Sequence, residues 1–187
     1  MDDGTKNVNI ARVSCGPGHG ISIGSVGERA NEKPLTCITV KCCNLTRTDN
    51  GVRIKTWLDS FENVVSGVTF EDITVDNVKN PTVIDQEYCP NNHCKSKTPS
   101  KVKVSDIKIR RVKGTSCTPE VVTLACSATT PCEKIEVADV DLKFTGSPPG
   151  PAQFVCKNIK PVTTGVMNPP PCTSKGNPNS PPADSEL

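Results

Sequence analysis

An all-β solenoid of the parallel β-helix type is the fold this sequence predicts, on three observations. Short segments that alternate apolar and polar residues recur about every thirty positions. Turn formers punctuate them: the 187 residues include 17 Pro and 13 Gly. Aromatic residues make up only 3%, so a core must come from Val, Ile, Leu and Cys. That suits stacked strands better than packed helices, and helical periodicity is nowhere sustained.

The first strand series is Val8-Asn9-Ile10, Ile38-Thr39-Val40, Val68-Thr69-Phe70, Val102-Lys103-Val104 and Ile135-Glu136-Val137. With Ile10, Val40, Phe70, Val104 and Val137 as reference, the steps are 30, 30, 34 and 33 residues. Many of these segments continue into a second apolar pair, as in Ile73-Thr74-Val75 and Ile107-Lys108-Ile109. A second series follows each: Ile21-Ser22-Ile23, Val52-Arg53-Ile54, Thr82-Val83-Ile84, Val121-Val122-Thr123 and Gln153-Phe154-Val155. Several strands per repeat fit a β-helix or a propeller. The register of the repeat, with Asn and Gly at matching turns, favours the β-helix over an immunoglobulin-like sandwich. Residues 1–160 form the expected β-helical domain, and the Pro-rich stretch 161–187 is expected to be a mostly disordered tail.

Composition narrows function. A net charge of +2 gives no polybasic signature of nucleic-acid binding. No apolar run approaches the roughly 18 residues of a membrane span. Eleven cysteines point to an oxidising compartment, and Asn44-Leu45-Thr46 is a candidate glycosylation sequon. Met1-Asp2-Asp3-Gly4 has no signal-peptide pattern, so a secreted protein whose N-terminal part lies outside this sequence is expected. Cys89-x4-Cys94 with His93 is the nearest approach to a zinc pattern, but no second pair faces it and disulfides are the better reading.

Two segments carry chemistry. In Cys15-Gly16-Pro17-Gly18-His19-Gly20, a tight turn presents a single imidazole at the head of a strand. In Asn50-Gly51-Val52-Arg53-Ile54-Lys55-Thr56-Trp57, Arg53 and Lys55 stand two apart and share one strand face. An arbitrary pair of that kind is usually solvated surface charge. His19 precedes Arg53 by 34 residues, about one coil, so the three are expected to stack into a site for anionic groups.

These two segments resemble the polygalacturonases, the pectin hydrolases of glycoside hydrolase family 28. The likeness continues through Thr69–Ile73, Ile84–Pro90 and Leu124–Cys132, and thus over about residues 4–160. Cys89-Pro90-Asn91-Asn92-His93-Cys94 is most similar to the pollen-type exopolygalacturonases of plants. The resemblance implies a right-handed parallel β-helix, of which this chain would hold the C-terminal coils. It implies hydrolysis of 1,4-α-galacturonide bonds of pectin with inversion, in the plant cell wall, by a secreted monomer needing no metal or other cofactor. It assigns His19 to support of the catalytic acid, Arg53 and Lys55 to the sugar carboxylate, and Tyr88 to substrate contact, with packing beside Cys89 as the lesser alternative for Tyr88. It makes Cys89–Cys94, Cys126–Cys132 and Cys156–Cys172 the disulfide candidates, leaves Cys15 without its partner, and leaves Cys37, Cys42, Cys43 and Cys117 unassigned.

The family's acid/base aspartates come from an Asn-Thr-Asp and an Asp-Asp-Cys motif upstream of the histidine turn. Neither is present. Asp2 and Asp3 lie only 17 and 16 residues before His19, no cysteine follows them, and they read as turn residues. The expectation is that this chain alone is hydrolytically inert. The alternative is a non-catalytic truncated module, pectin-binding or antigenic. A pectate lyase on the same fold would need clustered carboxylates for calcium, which the sequence does not place beside Arg53 and Lys55.

Overall fold

The computed structural model describes residues 1–92, 94 and 96–172. They form a parallel β-solenoid of about five turns, apart from one short 3₁₀ segment at Pro90–Asn92. The strands are β1 (Lys6–Ala11), β2 (Ser14–Cys15), β3 (Ile21–Val26), β4 (Leu35–Thr46), β5 (Asn50–Trp57) and β6 (Asn63–Val78). They continue with β7 (Asn80–Tyr88), β8 (Val102–Ser116), β9 (Glu120–Ala125), β10 (Glu133–Phe144), β11 (Gln153–Lys157) and β12 (Val162–Asn168). A long sheet runs β1-β4-β6-β8-β10-β12, with β2 beside β4, and a short sheet runs β11-β9-β7-β5-β3. All named pairings are parallel.

The long strands are bent twice per coil, and the sequence shows why. Asn7, Cys37, Gly67, Asp106 and Lys134 stack at the first bend; Arg12, Cys42, Asp72, Arg111 and Asp139 stack at the second. All ten adopt left-handed backbone, with φ from 52° to 65°. At each bend two successive residues face outward before alternation resumes. In β4, Leu35, Ile38, Val40, Cys43 and Leu45 are buried, while Thr36-Cys37 and Lys41-Cys42 are not. Of the second apolar pairs seen in the sequence, Ile107-Lys108-Ile109 lies beyond the first bend and Ile73-Thr74-Val75 beyond the second.

Buried side chains stack rung upon rung. Ile38, Val68, Ile107 and Ile135 form one column, and Ile54, Ile84 and Leu124 form another on the short sheet. Each coil therefore buries its apolar residues against its neighbours. The end strand β1 has no fully buried residue. Met1 lies along the other edge strand: its ammonium donates to Ser22 O at 2.9 Å, and Gly24 N donates to Met1 O at 2.7 Å.

Three details correct the sequence reading. Phe70 pairs with Ile109, not Val104, which pairs with Val65; the reference steps are therefore 30, 30, 39 and 28 residues. The long step arises because the connection from Cys89 to Lys101 sits between β7 and β8. On the short sheet Thr82 pairs with Val122, one residue later than aligned, and a slip of one residue exchanges the inner and outer faces. Finally, the ladder runs past residue 160. Val162–Asn168 pairs with β10, its apolar-polar run lying between Pro161 and Pro169, and Cys172 ties the following segment back to Cys156. Residues 173–187 lie outside the described residues.

Candidate active site

The short sheet positions the cationic pair. Along β5, Val52, Ile54 and Thr56 are buried, so Arg53, Lys55 and Trp57 face outward. Buried Ile54 thus anchors both cations from beneath. On the next coil Asp85 and Tyr88 lie opposite Lys55 and Trp57. Tyr88 sits among them: its ring centroid is 4.4 Å from Lys55 Nζ and 5.8 Å from Arg53 Cζ, and Trp57 meets it edge-on at 5.1 Å. Cations over an aromatic face are attracted to its quadrupole, so Tyr88 holds both charges on the surface without neutralising them. Neither cation forms a salt bridge with any described residue.

His19 arrives from a different direction. Its turn precedes β3 and lies against the turn between β4 and β5. Gly20, at φ 82°, would put a Cβ 1.7 Å from Asn50 O, so only glycine allows this approach. Asp49 N donates to Gly18 O at 2.8 Å, and Asn50 Nδ2 donates to His19 O at 3.2 Å. The imidazole Nδ1 lies 2.9 Å from Asp49 Oδ2. His19, Arg53, Lys55 and Tyr88 line one open cavity of about 520 Å³, together with Ser22 and Met1.

The expected stacking needs one correction. Arg53 pairs with Ser22, whose hydroxyl accepts from Nε at 3.3 Å, while His19 stacks over Asp49, 30 residues on. A strict repeat of 30 was the available signal, and it also reaches Lys79, which donates to Asp49 Oδ1 at 2.9 Å.

Two aspartates missed in the sequence set the local electrostatics. Hydrogen bonds from Lys79 and then His19 hold the Asp49 carboxyl below its ordinary 3.8. Asp85 is pushed above 3.8, chiefly by burial, although Arg53 and Lys55 nearby favour its ionised form and Glu87 N donates to it at 2.9 Å. Asp85 lies beside Arg53 and Lys55 without forming a salt bridge with either.

The remaining candidates lie elsewhere in the solenoid, with Cys43, Cys126 and Cys132 buried. Cys89–Cys94, Cys126–Cys132 and Cys156–Cys172 are disulfide-bonded, and Cys15, Cys37, Cys42, Cys43 and Cys117 are free. Asn44 is exposed on the outer face of the long sheet. His93 lies outside the described residues. Among the described residues, no group of three or more His, Cys, Asp or Glu is placed to hold a metal ion. Among the described residues, no helix is long and apolar enough to cross a membrane.

The parallel β-solenoid thus brings an imidazole, two cations without salt bridges and an aromatic ring around one open cavity. Residues 1–168 match the model of glycosyl hydrolases family 28, and the chain belongs to that family. It is 49% identical over 173 residues to a polygalacturonase of Gossypium hirsutum, covering 92% of this chain and 42% of the relative. It is 52% identical over 174 residues to a polygalacturonase of Nicotiana tabacum, covering 93% and 44%. It is 51% identical over 178 residues to an exopolygalacturonase of Arabidopsis thaliana, covering 95% and 40%. The chain therefore spans less than half the length of these relatives.

Proposed function

We propose that this chain is the substrate-gripping part of a polygalacturonase, exo-type, that hydrolyses 1,4-α-galacturonide bonds of pectin with inversion in the plant cell wall. The observation that carries this is the placement of Arg53 and Lys55, side by side over Tyr88 and free of salt bridges, in the cavity that His19 enters. Every sugar of polygalacturonate bears a carboxylate. Arg53 can grip one with two parallel hydrogen bonds, and Lys55 adds a compact charge. Tyr88 lies beside both cations and lines the same cavity, within reach of a sugar bound there.

Inversion needs a carboxylic acid to protonate the leaving oxygen and a carboxylate to activate water on the opposite face. The sequence contains neither aspartate motif that the family uses for these roles. Each such role is worth about 10²–10⁴ in rate. The chain by itself is therefore a binder without turnover, and the reaction belongs to a protein that adds those carboxylates.

Calorimetric titration with a short oligogalacturonate tests the reading. Binding that is lost in an Arg53→Ala/Lys55→Ala variant supports it; absence of binding to the folded wild-type chain overturns it. A reducing-end assay on polygalacturonate is expected to show no turnover above a His19→Ala control. Turnover above that control would overturn the non-catalytic part.

A further inference from the structure

We propose that Asp49 is a positioning residue that decides which nitrogen of His19 faces the cavity; this rests on the reading of the cavity given above. The residues His19, Asp49 and Lys79 follow at intervals of 30, one per coil. Both oxygens of Asp49 are engaged, and by different coils: Oδ2 lies 2.9 Å from His19 Nδ1, and Oδ1 lies 2.9 Å from Lys79 Nζ. The carboxylate is thus clamped between an imidazole on one side and an ammonium on the other.

An isolated ion pair this exposed would fix little. Here the backbone fixes the pair. Asp49 N donates to Gly18 O at 2.8 Å, Asn50 Nδ2 to His19 O at 3.2 Å, and Asn80 Nδ2 to Asp49 O at 2.8 Å. Gly20 lets the histidine turn sit directly on Asn50. Three consecutive turns are therefore in register before any side chain is placed.

The chemistry follows from the acceptor. An ionised carboxylate can only accept, so Nδ1 must carry a hydrogen. Nε2 is then the nitrogen left for the cavity: a hydrogen-bond acceptor in the neutral ring, a donor in the charged one. Free imidazole favours the other neutral tautomer, with the proton on Nε2. Asp49 reverses that preference and leaves Nε2 able to accept a proton or hydrogen bond from an acid or hydroxyl in the cavity. Lys79 keeps Asp49 ionised and in place.

The tautomer is directly measurable, and no turnover is needed. The chain has two histidines, His19 and His93, so a His19→Ala variant assigns the spectrum. Long-range ¹⁵N correlation spectra are recorded well above the ordinary imidazole pKa of about 6.5, where the ring is neutral. The wild type is expected to show His19 mainly protonated on Nδ1. Asp49→Ala is expected to invert the ratio toward Nε2–H, and Asp49→Asn, which keeps a carbonyl acceptor, to retain an excess of Nδ1–H. Lys79→Met is expected to lower the Nδ1–H share while the chain stays folded; it serves if Asp49→Ala does not fold. A wild type dominated by Nε2–H, or a ratio unmoved by both Asp49→Ala and Lys79→Met, overturns the proposal. Oligogalacturonate titration of the same wild-type sample separates the two readings. Failed binding sinks the substrate assignment and leaves the tautomer result standing, and the converse outcome is equally readable.

Discussion

The outer faces of the two sheets carry the same kinds of charge and use them differently. On the long sheet, several cations are matched, while Lys41, Lys108 and Lys113 form no salt bridge with any described residue. Arg110 meets Glu136 at 2.8 Å, Arg111 meets Asp72 and Glu71 each at 2.6 Å, and Lys103 meets Glu133 at 3.1 Å. On the short sheet, Lys157 is paired with Glu87, but Arg53 and Lys55 are not paired and rest on Tyr88 instead. Matched charges on adjacent rungs satisfy one another and hold register. Two cations over an aromatic ring remain electrostatically open, and an anionic ligand can complete them. What sets Arg53 and Lys55 apart is the shared ring of Tyr88 beneath both, and not the lack of a salt bridge alone.

The deepest way to break this contrast is to remove what lies under it. Ile54 is fully buried between Arg53 and Lys55 on β5. Ile54→Ala is expected to cost about 2–5 kcal/mol in a denaturant titration, through lost burial and the cavity left behind. Next in size is the loss of ligand. Arg53→Ala and Lys55→Ala are each expected to weaken oligogalacturonate binding at least about tenfold, since a hydrogen bond to a charged group is worth about 1.5–3 kcal/mol. Arg111→Ala on the other face should lower the melting temperature and leave that affinity unchanged. The reverse pattern would dissolve the distinction between the faces.

The two aspartates sharpen it through pH. Asp49 is held below its ordinary 3.8, so its contribution to stability is present above that value and is lost as pH falls through its folded value. Asp85 is raised above 3.8, so its contribution is present below that value and is lost as pH rises through its folded value. At neutral pH, Asp49→Asn is expected to lower stability and Asp85→Asn to raise it. Melting curves taken at decreasing pH should show both differences shrinking. The smallest effect is at a bend. Cys37 is exposed with φ 57°, and Cys37→Gly should change stability by less than about 1 kcal/mol, favourably, because relief of backbone strain is partly offset by a more flexible unfolded chain.

The sequence by itself determined the class of fold, because alternation and a repeat near thirty leave few other ways to bury Val and Ile without helices. It also determined that Arg53 and Lys55 share a face, since strand period alone dictates that. Other features depended on how coils stack. The register of the fourth coil was misread because the Cys89–Lys101 connection changes its length, and no local pattern says where extra residues are looped out. The paired bends were hidden because Arg12, Cys37 and Lys134 are not residues that announce a left-handed backbone; stacking on Gly, Asn and Asp in other coils imposes it. The roles of Asp49 and Lys79 were hidden for the same reason. Each is an ordinary turn residue until three coils are laid on one another, and only then does a carboxylate stand between an imidazole and an ammonium.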